Sequence, residues 1–314
     1  MKHPWQRLFR ACIYAFPLFI VLLIPSLSFG CWGARPLAMG GAFTGVGGDV
    51  HGVYWNPAGL TTIAAEQFTW TSFFTNLDAI NYDDFFALVI PLGEKKSYSK
   101  GIPHHTLGLA VVLDENISYG AKYVDRYFTL SYGFPVGKSS PLSLGVNLKM
   151  IYNRVEFVNN EYDYDKVADS AFLIDFGLLF QPVPSFSLGV LVQNANESSS
   201  LGATFIRNVR PGLAWNLTPS TTLTLEVYDL LGKSDDKGND AARNLRLGLE
   251  SRLGSNFAFR CGGYNVNSRE PGAKAITAGI GCRIREWEFN YTLMDFYRLR
   301  GDEVCHMAGL THTF

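Results

Sequence analysis

Residues 220–229, STTLTLEVYD, decide the fold class of this chain. Apolar and polar side chains alternate along the stretch, with one set formed by Leu223, Leu225 and Val227 and the other by Thr222, Thr224 and Glu226. Successive side chains of a β-strand point to opposite faces, so the stretch predicts a strand with one apolar face and one face that carries charge. The same alternation recurs at 244–253 and at 285–294.

Fourteen stretches of roughly ten residues, nearly all with this alternation, follow one another from residue 66 to residue 314. We predict strands at 66–74, 83–91, 106–113, 126–135, 141–153, 170–181, 185–193, 207–217, 220–229, 244–253, 255–263, 273–283, 285–294 and 304–314. From the fourth strand onward very short links alternate with longer polar links, which is typical of the turns and loops of an outer-membrane barrel. The long link between Leu92 and His105 is the misfit, because a short turn is expected there.

The pattern therefore predicts an all-β fold, a fourteen-stranded antiparallel transmembrane β-barrel over residues 66–314. Such a barrel belongs in the outer membrane of a Gram-negative bacterium, in contact with its lipids. The chain ends in Phe314, and outer-membrane barrels commonly end in an aromatic residue that the barrel-insertion machinery reads. The barrel-insertion machinery is therefore an expected partner.

Charged side chains on the polar faces of the predicted strands are expected to point into the lumen, because a charge that faces lipid near the midplane costs about 2–4 kcal/mol. The predicted lumen wall carries Lys149, Asp175, Arg210, Glu226, Arg246, Glu250, Arg260 and Glu288. Two interpretations stay open, a salt-bridged wall that holds an internal segment and a site that selects a ligand. Small inward residues, among them Gly145, Gly177 and Gly189, indicate room for such a segment or for a narrow passage.

Residues 1–30 have the pattern of an export signal. Basic residues precede an apolar run from Ala11 to Ile24, and Ser28-Phe29-Gly30 offers a small-x-small cleavage site. An uncleaved anchor is the alternative. Cys31 at the cleavage point also leaves open a lipoprotein, in which this cysteine would be acylated.

Composition and reactive residues exclude several classes of function. The hydrophobic content of 47% argues against disorder, and a net charge of −1 without a basic patch argues against nucleic-acid binding. The cysteines have neither CxxC spacing nor a nearby histidine pair, so we predict no metal and no cofactor, and Cys261 and Cys282 are poorly placed for a disulfide. The histidines accompany no nucleophile motif, so we predict no catalytic residue and no enzyme.

The region before the first strand carries two motifs, GARPLAMGGAFTG at residues 33–45 and YWNPAGL at residues 54–60. Glycines permit close backbone approach, and Asn56-Pro57 favours a turn, so the region suits a compact plug. A phosphate-binding loop is excluded because no Walker lysine accompanies the glycines. The two motifs resemble the N-terminal region of the FadL family of outer-membrane hydrophobic-compound transporters, a segment shared with the type IX secretion shuttle protein and related spirochaete barrels.

The resemblance implies that residues 31–65 fold as a hatch inside the lumen of the barrel. The hatch residues it implies are Gly40, Gly41, Phe43, Gly45, Tyr54, Trp55, Asn56, Pro57 and Gly59. It also implies transport of a small hydrophobic, fatty-acid-like ligand, in which the hatch rearranges and a lateral gap in the wall releases the ligand. A docking or shuttle protein for a secretion system is the alternative. The modest loops of this chain depart from the long loops of characterised fatty-acid transporters, which form a capture groove.

Overall fold

The computed structural model describes residues 32–75, 82–93, 102–118, 121–137, 140–160, 163–201, 203–233, 243–269, 274–296 and 304–314. The predicted export signal and the prediction for Cys31 lie outside these residues. In the part of the chain that is described, no helix has the length and apolar character needed to cross a membrane.

Sixteen β-strands make up most of the described chain. They are β1 (Gln67–Thr75), β2 (Tyr82–Leu92), β3 (His105–Ser118), β4 (Ala121–Pro135), β5 (Leu142–Asn160), β6 (Asp163–Val183), β7 (Phe186–Gln193), β8 (Ser198–Ser200), β9 (Ala203–Phe205), β10 (Asn208–Thr218), β11 (Thr221–Tyr228), β12 (Asn244–Leu253), β13 (Phe257–Tyr264), β14 (Ala275–Ile284), β15 (Trp287–Phe296) and β16 (Val304–Thr313). All but β8 and β9 join in one closed antiparallel barrel, in which β1 pairs with β16. The predicted fourteen-stranded antiparallel barrel is confirmed.

The two faces of the barrel wall differ sharply in character. On β6, Phe172, Phe176 and Phe180 are exposed on the outer face, whereas Asp175 on the other face is buried. Exposed apolar side chains surround the outside in the same way on most of the strands. An outer apolar surface of this kind suits contact with lipid, and the buried polar side chains lie inside.

Four strands run further than the sequence pattern indicates. The predicted strands at 141–153 and 170–181 continue to Asn160 in β5 and begin at Asp163 in β6, so the predicted polar link between them is wrong. β3 and β4 likewise extend to Ser118 and from Ala121. The added parts of these strands carry many charged residues, among them Glu115, Lys122 and Arg154, so the alternation fades while the backbone ladder continues. The predicted link after β7 also contains the β8–β9 hairpin.

Two short helices and a 3-10 helix precede the barrel: α1 (Ala34–Ala38), α2 (Gly52–Trp55) and the 3-10 helix Pro57–Thr62. Asn56 caps the 3-10 helix, since its side-chain Oδ1 accepts a hydrogen bond from the backbone N–H of Ala58 at 3.1 Å. Pro57 follows at the first helical position, where its missing N–H costs nothing. The Asn-Pro pair thus makes the turn that the sequence predicts. We refer to residues 32–63 as the N-terminal segment.

The long link between Leu92 and His105 remains long in the structure, and its end is tied to the N-terminal segment. The backbone N–H of His104 donates to the carbonyl of Thr61 at 3.0 Å. Cys261 and Cys282 carry free thiols. The register places Cys261 opposite Ala278 and Cys282 opposite Phe257, which agrees with the poor disulfide geometry expected from the sequence.

Candidate functional site: the lumen and the N-terminal segment

The N-terminal segment contacts the inner face of the barrel around its circumference. A Cβ added to any of several wall glycines would collide with it: Gly108 with Val53, Gly133 and Gly145 with Pro57, Gly177 with Asn56, Gly189 with Thr44, Gly248 with Met39, Gly262 with Gly40, and Gly279 with Ala38. These glycines lie on β3–β7 and β12–β14, so the segment fills the lumen between opposite walls. Glycine is needed at these positions because backbone atoms of the segment, or at Gly108, Gly177 and Gly279 its side-chain atoms, occupy the space of a Cβ.

Alanine at Gly189 should displace the segment, because its methyl group would lie 2.0 Å from the carbonyl oxygen of Thr44. We expect Gly189→Ala to raise the permeability of the barrel to a small sugar in proteoliposomes. Gly309→Ala is the matched control, since its methyl group would lie 3.2 Å from Thr71 Oγ1 and 3.3 Å from Ala34 Cβ, which a small shift relieves. Equal, wild-type permeability of both folded variants would show that the close approach at Gly189 does not seal the lumen.

The first polar cluster of the lumen centres on Glu226 of β11. Its Oε1 accepts hydrogen bonds from Nε and Nη2 of Arg210 at 2.8 and 2.5 Å. Its Oε2 accepts from the backbone N–H groups of Phe43 at 3.0 Å and Thr44 at 2.9 Å. Arg246 lies 3.8 Å from the same carboxylate. A buried carboxylate is tolerated only when such partners replace water, so Glu226 ties the wall to the segment.

The second cluster centres on Glu250 of β12. Nε and Nη2 of Arg35, in α1, donate to the two carboxylate oxygens of Glu250 at 2.8 and 2.9 Å, a bidentate pairing. Arg260 of β13 donates to the same carboxylate at 2.6 Å and lies 3.3 Å from Glu288 of β15. Four charged groups therefore join the segment to β12, β13 and β15.

Asp49 of the segment completes the surroundings of Arg35. Its carboxylate bonds to Arg35 and accepts from the Nδ1 and the backbone N–H of His51 at 2.6 and 2.7 Å. Burial disfavours its charged form, but His51 and Arg35 outweigh burial and hold the pKa of the Asp49 carboxyl well below its usual range. The His51 ring in turn stacks on Phe85 of β2 at 5.9 Å between centroids.

The third cluster centres on Asp175 of β6. Lys149 Nζ lies 2.6 Å from its Oδ1, and Asn147 Nδ2 donates to its Oδ2 at 3.1 Å. The same Asn147 nitrogen donates to the carbonyl of Val53 in α2 at 3.0 Å. Asn56 makes a second link to β6, because its Nδ2 donates to the carbonyl of Leu178 at 3.0 Å. Each of the three clusters thus reaches the segment.

An aromatic group lies where the segment meets β2 and β4. The Trp32 ring lies 5.1 Å from Tyr54, 6.2 Å from Phe85 and 5.3 Å from Tyr127, between centroids. Trp55 Nε1 donates to the carbonyl of Trp32 at 2.9 Å and fixes the start of the segment. Burial raises the pKa of the Tyr54 hydroxyl to about 12. The group offers flat apolar surfaces inside the lumen.

The structure places the predicted wall residues together rather than scattered. Seven of them, Lys149, Asp175, Arg210, Glu226, Arg246, Glu250 and Arg260, are buried, and Glu288 is half-buried. The expected hatch residues Gly40, Gly41, Phe43, Gly45, Trp55, Asn56, Pro57 and Gly59 are buried, and Tyr54 is half-buried. Gly40 adopts φ of +64°, which a residue with a Cβ resists, and a Cβ there would lie 2.3 Å from the carbonyl oxygen of Leu247.

Sequence reasoning missed Arg35, Asp49 and His51 as site residues. A signal was present, because these charged or ionisable residues lie in a stretch that is otherwise rich in glycine and apolar residues and is expected to be buried. A buried arginine requires a carboxylate partner, and the predicted wall offered Asp175, Glu226, Glu250 and Glu288. Which of the four would pair with Arg35 depends on the closed barrel.

Comparison with solved structures finds this fold in other proteins. The CymD monoaromatic hydrocarbon channel matches with a TM-score of 0.63 and 12% identity, over 92% of this chain and 99% of that one. The Pseudomonas putida toluene transporter TodX matches with a TM-score of 0.64 and 10% identity, over 91% of this chain and 99% of that one. The fold is that of CymD and TodX. It agrees with the FadL-type resemblance of the N-terminal motifs. The sequence matches no family model and no curated protein.

Proposed function

We propose that this protein is an outer-membrane channel through which small hydrophobic molecules pass from outside toward the periplasm. One observation carries the proposal: a closed barrel with the fold of two hydrocarbon channels holds an N-terminal segment that fills its lumen. A filled lumen opposes free diffusion of polar solutes, so passage requires the segment to move. The segment then acts as a hatch, with residues 31–65 as its range.

The location in the outer membrane rests on the outer face of the barrel. Exposed apolar side chains such as Phe172, Phe176 and Phe289 suit contact with the surrounding lipids. The backbone N–H of Phe314 donates to the carbonyl of Glu66 at 2.9 Å, so the C-terminal residue continues the closing seam. We propose that the barrel-insertion machinery recognises this end.

Movement of the hatch is supported by the nature of its contacts with the wall. Glu226, Glu250 and Asn147 hold it through hydrogen bonds and ion pairs, which water can replace as the segment shifts. The tightest contacts, at Gly189 and Gly262, are steric and involve no bond that must break. When the hatch shifts by a limited distance, water therefore replaces it as the hydrogen-bond partner of these wall side chains, and no charge is left unpaired.

The ligand class is supported by the aromatic group around Trp32. Its rings offer stacking surfaces to a flat apolar molecule, and the matched channels are named for monoaromatic hydrocarbons and toluene. The FadL-type resemblance adds fatty-acid-like molecules to this class. Toluene and oleate are therefore the two probes that separate the aromatic from the fatty-acid-like ligand.

Uptake by intact cells tests the proposal. A Gram-negative host without its own hydrocarbon or fatty-acid channel should take up labelled toluene or oleate faster when it expresses the protein than with an empty vector. Uptake of a labelled disaccharide should stay at the vector level, because the hatch blocks polar solutes. If neither apolar probe enters faster although the folded barrel is present in the outer membrane, the proposal is wrong.

The docking or shuttle role for a secretion system stays a prediction. It differs from transport in one readout, since a docking protein binds its partner without accelerating uptake of toluene or oleate.

A further inference from the structure

One sector of the outer wall is polar where most of that wall is apolar. Along the described parts of β7 and β10 to β14, the outward positions carry no Asp, Glu, Lys, Arg, His or Tyr. Around the closing seam, by contrast, Asp84 of β2, Tyr291 and Asp295 of β15, and His306 of β16 lie on the outward face. The next residue after Asp84, Phe85, packs inside the barrel, which fixes this direction. A carboxylate or a charged imidazole on a surface that meets lipid costs stability.

The pairing register arranges these groups in a short band across four adjoining strands. Ser72 of β1 lies opposite both Asp84 of β2 and Ala308 of β16, and Ala308 lies opposite Tyr291 of β15. His306 is the next outward residue of β16 beyond Ala308. We call the outward side chains of Ser72, Asp84, Tyr291, His306 and Ala308 the seam face.

Aromatic neighbours fix the directions of the two titratable groups of the seam face. Trp70 Nε1 donates to Asp84 Oδ1 at 3.0 Å. His306 Nδ1 lies 2.6 Å from the hydroxyl oxygen of Tyr291, and the imidazole stacks on the ring of Phe74 at 5.6 Å between centroids. Because Tyr291 engages Nδ1, Nε2 is the ring nitrogen of His306 that can meet a second molecule.

Asp84 and His306 lie at similar heights along the barrel axis. Gln67 begins β1, and its successive partners lead to Asn147, the sixth residue of β5 from the same end, so a row of partners rises from β1 toward β5. Asp84 is two strands further along this rise than His306, but His306 is two residues higher on its strand. With barrel strands tilted by roughly 40°, these two displacements are each about 5–6 Å and cancel.

The seam face is complementary to itself under two-fold symmetry. A two-fold axis along the membrane normal, in front of β1, would place β16 of one copy against β2 of the other. His306 of each copy then faces Asp84 of the other, so the interface contains two equivalent pairs. Ser72 and the exposed Ala308 lie between these pairs. Their small side chains allow close approach, as small residues do between packed transmembrane segments.

A second copy suits the seam face better than lipid does. Lipid chains offer no donor to Asp84 and no acceptor to His306, whereas the symmetric copy supplies both. The outward charges nearest to Asp84 on the other side, Arg126 of β4 and Glu115 of β3, form an ion pair with each other. Asp295 lies at the end of its strand pairing, opposite the first residue of β16, and is exposed. The complementary pair that symmetry can use is therefore Asp84 with His306.

We propose that the seam face is the interface of a symmetric dimer in the membrane, with a second copy of this chain as the partner. The inference goes beyond the channel function and rests only on the outer-membrane location proposed above. The two lumens stay separate, because the seam face lies outside the wall. The dimer also holds β1 against β16, the pair of strands that closes each barrel.

Single cysteines near the axis test the dimer. Ala308→Cys is introduced into a variant whose native cysteines are replaced by alanine. Ala278→Cys of β14 is the matched control, because Ala278 is also an exposed outward alanine but lies two strands beyond β16. Each protein is folded into lipid vesicles at a low ratio of protein to lipid and oxidised, and covalent dimer is measured on a non-reducing gel. Heat-modifiable migration and sedimentation with the vesicles show that the barrel is folded and inserted.

We expect about ten-fold more covalent dimer from Ala308→Cys than from Ala278→Cys, because only thiols within disulfide reach can join. Equal yields at the two positions would indicate random collision and overturn the dimer. An inserted Ala308→Cys barrel that forms no covalent dimer would overturn it as well. Toluene uptake plays no part in this test, so either result leaves the channel function standing. Failure of the folded barrel to insert into vesicles would overturn the membrane location and the dimer together.

Removal of one member of the symmetric pair tests the contact itself. Adding Asp84→Ala to Ala308→Cys should lower the yield of covalent dimer to that of the Ala278→Cys control. Adding Asp295→Ala instead should leave the yield unchanged, because this outward carboxylate is not part of the pair. A yield that Asp84→Ala does not lower, or that both substitutions lower equally, would overturn the proposed interface.

Discussion

Deletion of residues 32–63 is expected to turn the barrel into an open pore for small polar solutes. The segment fills the lumen between opposite walls, and barrels with only slightly more strands than this one enclose an aqueous channel when nothing fills them. Removal leaves Glu226, Glu250 and Asp175 facing water, which replaces their lost partners. We therefore expect disaccharide flux into proteoliposomes at the level of an open porin, together with loss of the preference for toluene or oleate.

The control for this deletion is the fold of the barrel itself. Heat-modifiable migration on a gel and the β-sheet circular dichroism signal must match the full-length protein before permeability is compared. A folded deletion variant with wild-type permeability and wild-type uptake would show that the segment neither plugs nor gates the barrel.

A charge placed on the outer face should harm membrane folding far more than removal of a charge from the inner face. Leu247 and Arg246 are neighbours on β12 that point to opposite sides. Leu247→Arg should destabilise the barrel in lipid vesicles, lowering its free energy of unfolding by about 2–4 kcal/mol, the cost of a charge that faces lipid. Arg246→Gln should cost only about 1 kcal/mol, because Glu226 keeps its closer partner Arg210.

Urea titration of vesicle-embedded protein measures both variants, and Leu247→Met serves as the size-matched neutral control. Equal destabilisation by Leu247→Arg and Arg246→Gln would mean that the assignment of faces on β12 is incorrect.

The strands could be predicted wherever the wall has two chemically different faces. The prediction at 244–253 coincides with β12, in which buried charges alternate with half-buried leucines. The prediction failed near Ser118, Ala121, Asn160 and Asp163, where β3 to β6 extend beyond the predicted strands. Ion pairs such as that of Lys122 with Glu115, 2.8 Å apart, lie on these added parts. There only the backbone hydrogen bonds continue the strand. The sequence lacks the alternation of apolar and polar residues from which a strand could be predicted.

The direction of the charged side chains was predictable, but their partners were not. Lipid excludes charge from the outer face, which fixes Glu250 and Arg260 as inward groups from the sequence alone. The pairing of Glu250 with Arg35 joins residues 215 positions apart and depends on how the closed barrel holds the segment.

A disulfide between the N-terminal segment and the wall tests the gating claim most directly. The Cβ of Ala34 lies 3.3 Å from the position of a Cβ on Gly309, close to the spacing that a disulfide needs. Ala34→Cys with Gly309→Cys, in a background without other cysteines, would fix the hatch in the closed position when oxidised. We predict that the oxidised barrel takes up no toluene and no oleate, and that reduction restores uptake. Equal uptake in the oxidised and reduced states, with the cross-link verified, would contradict a movable hatch.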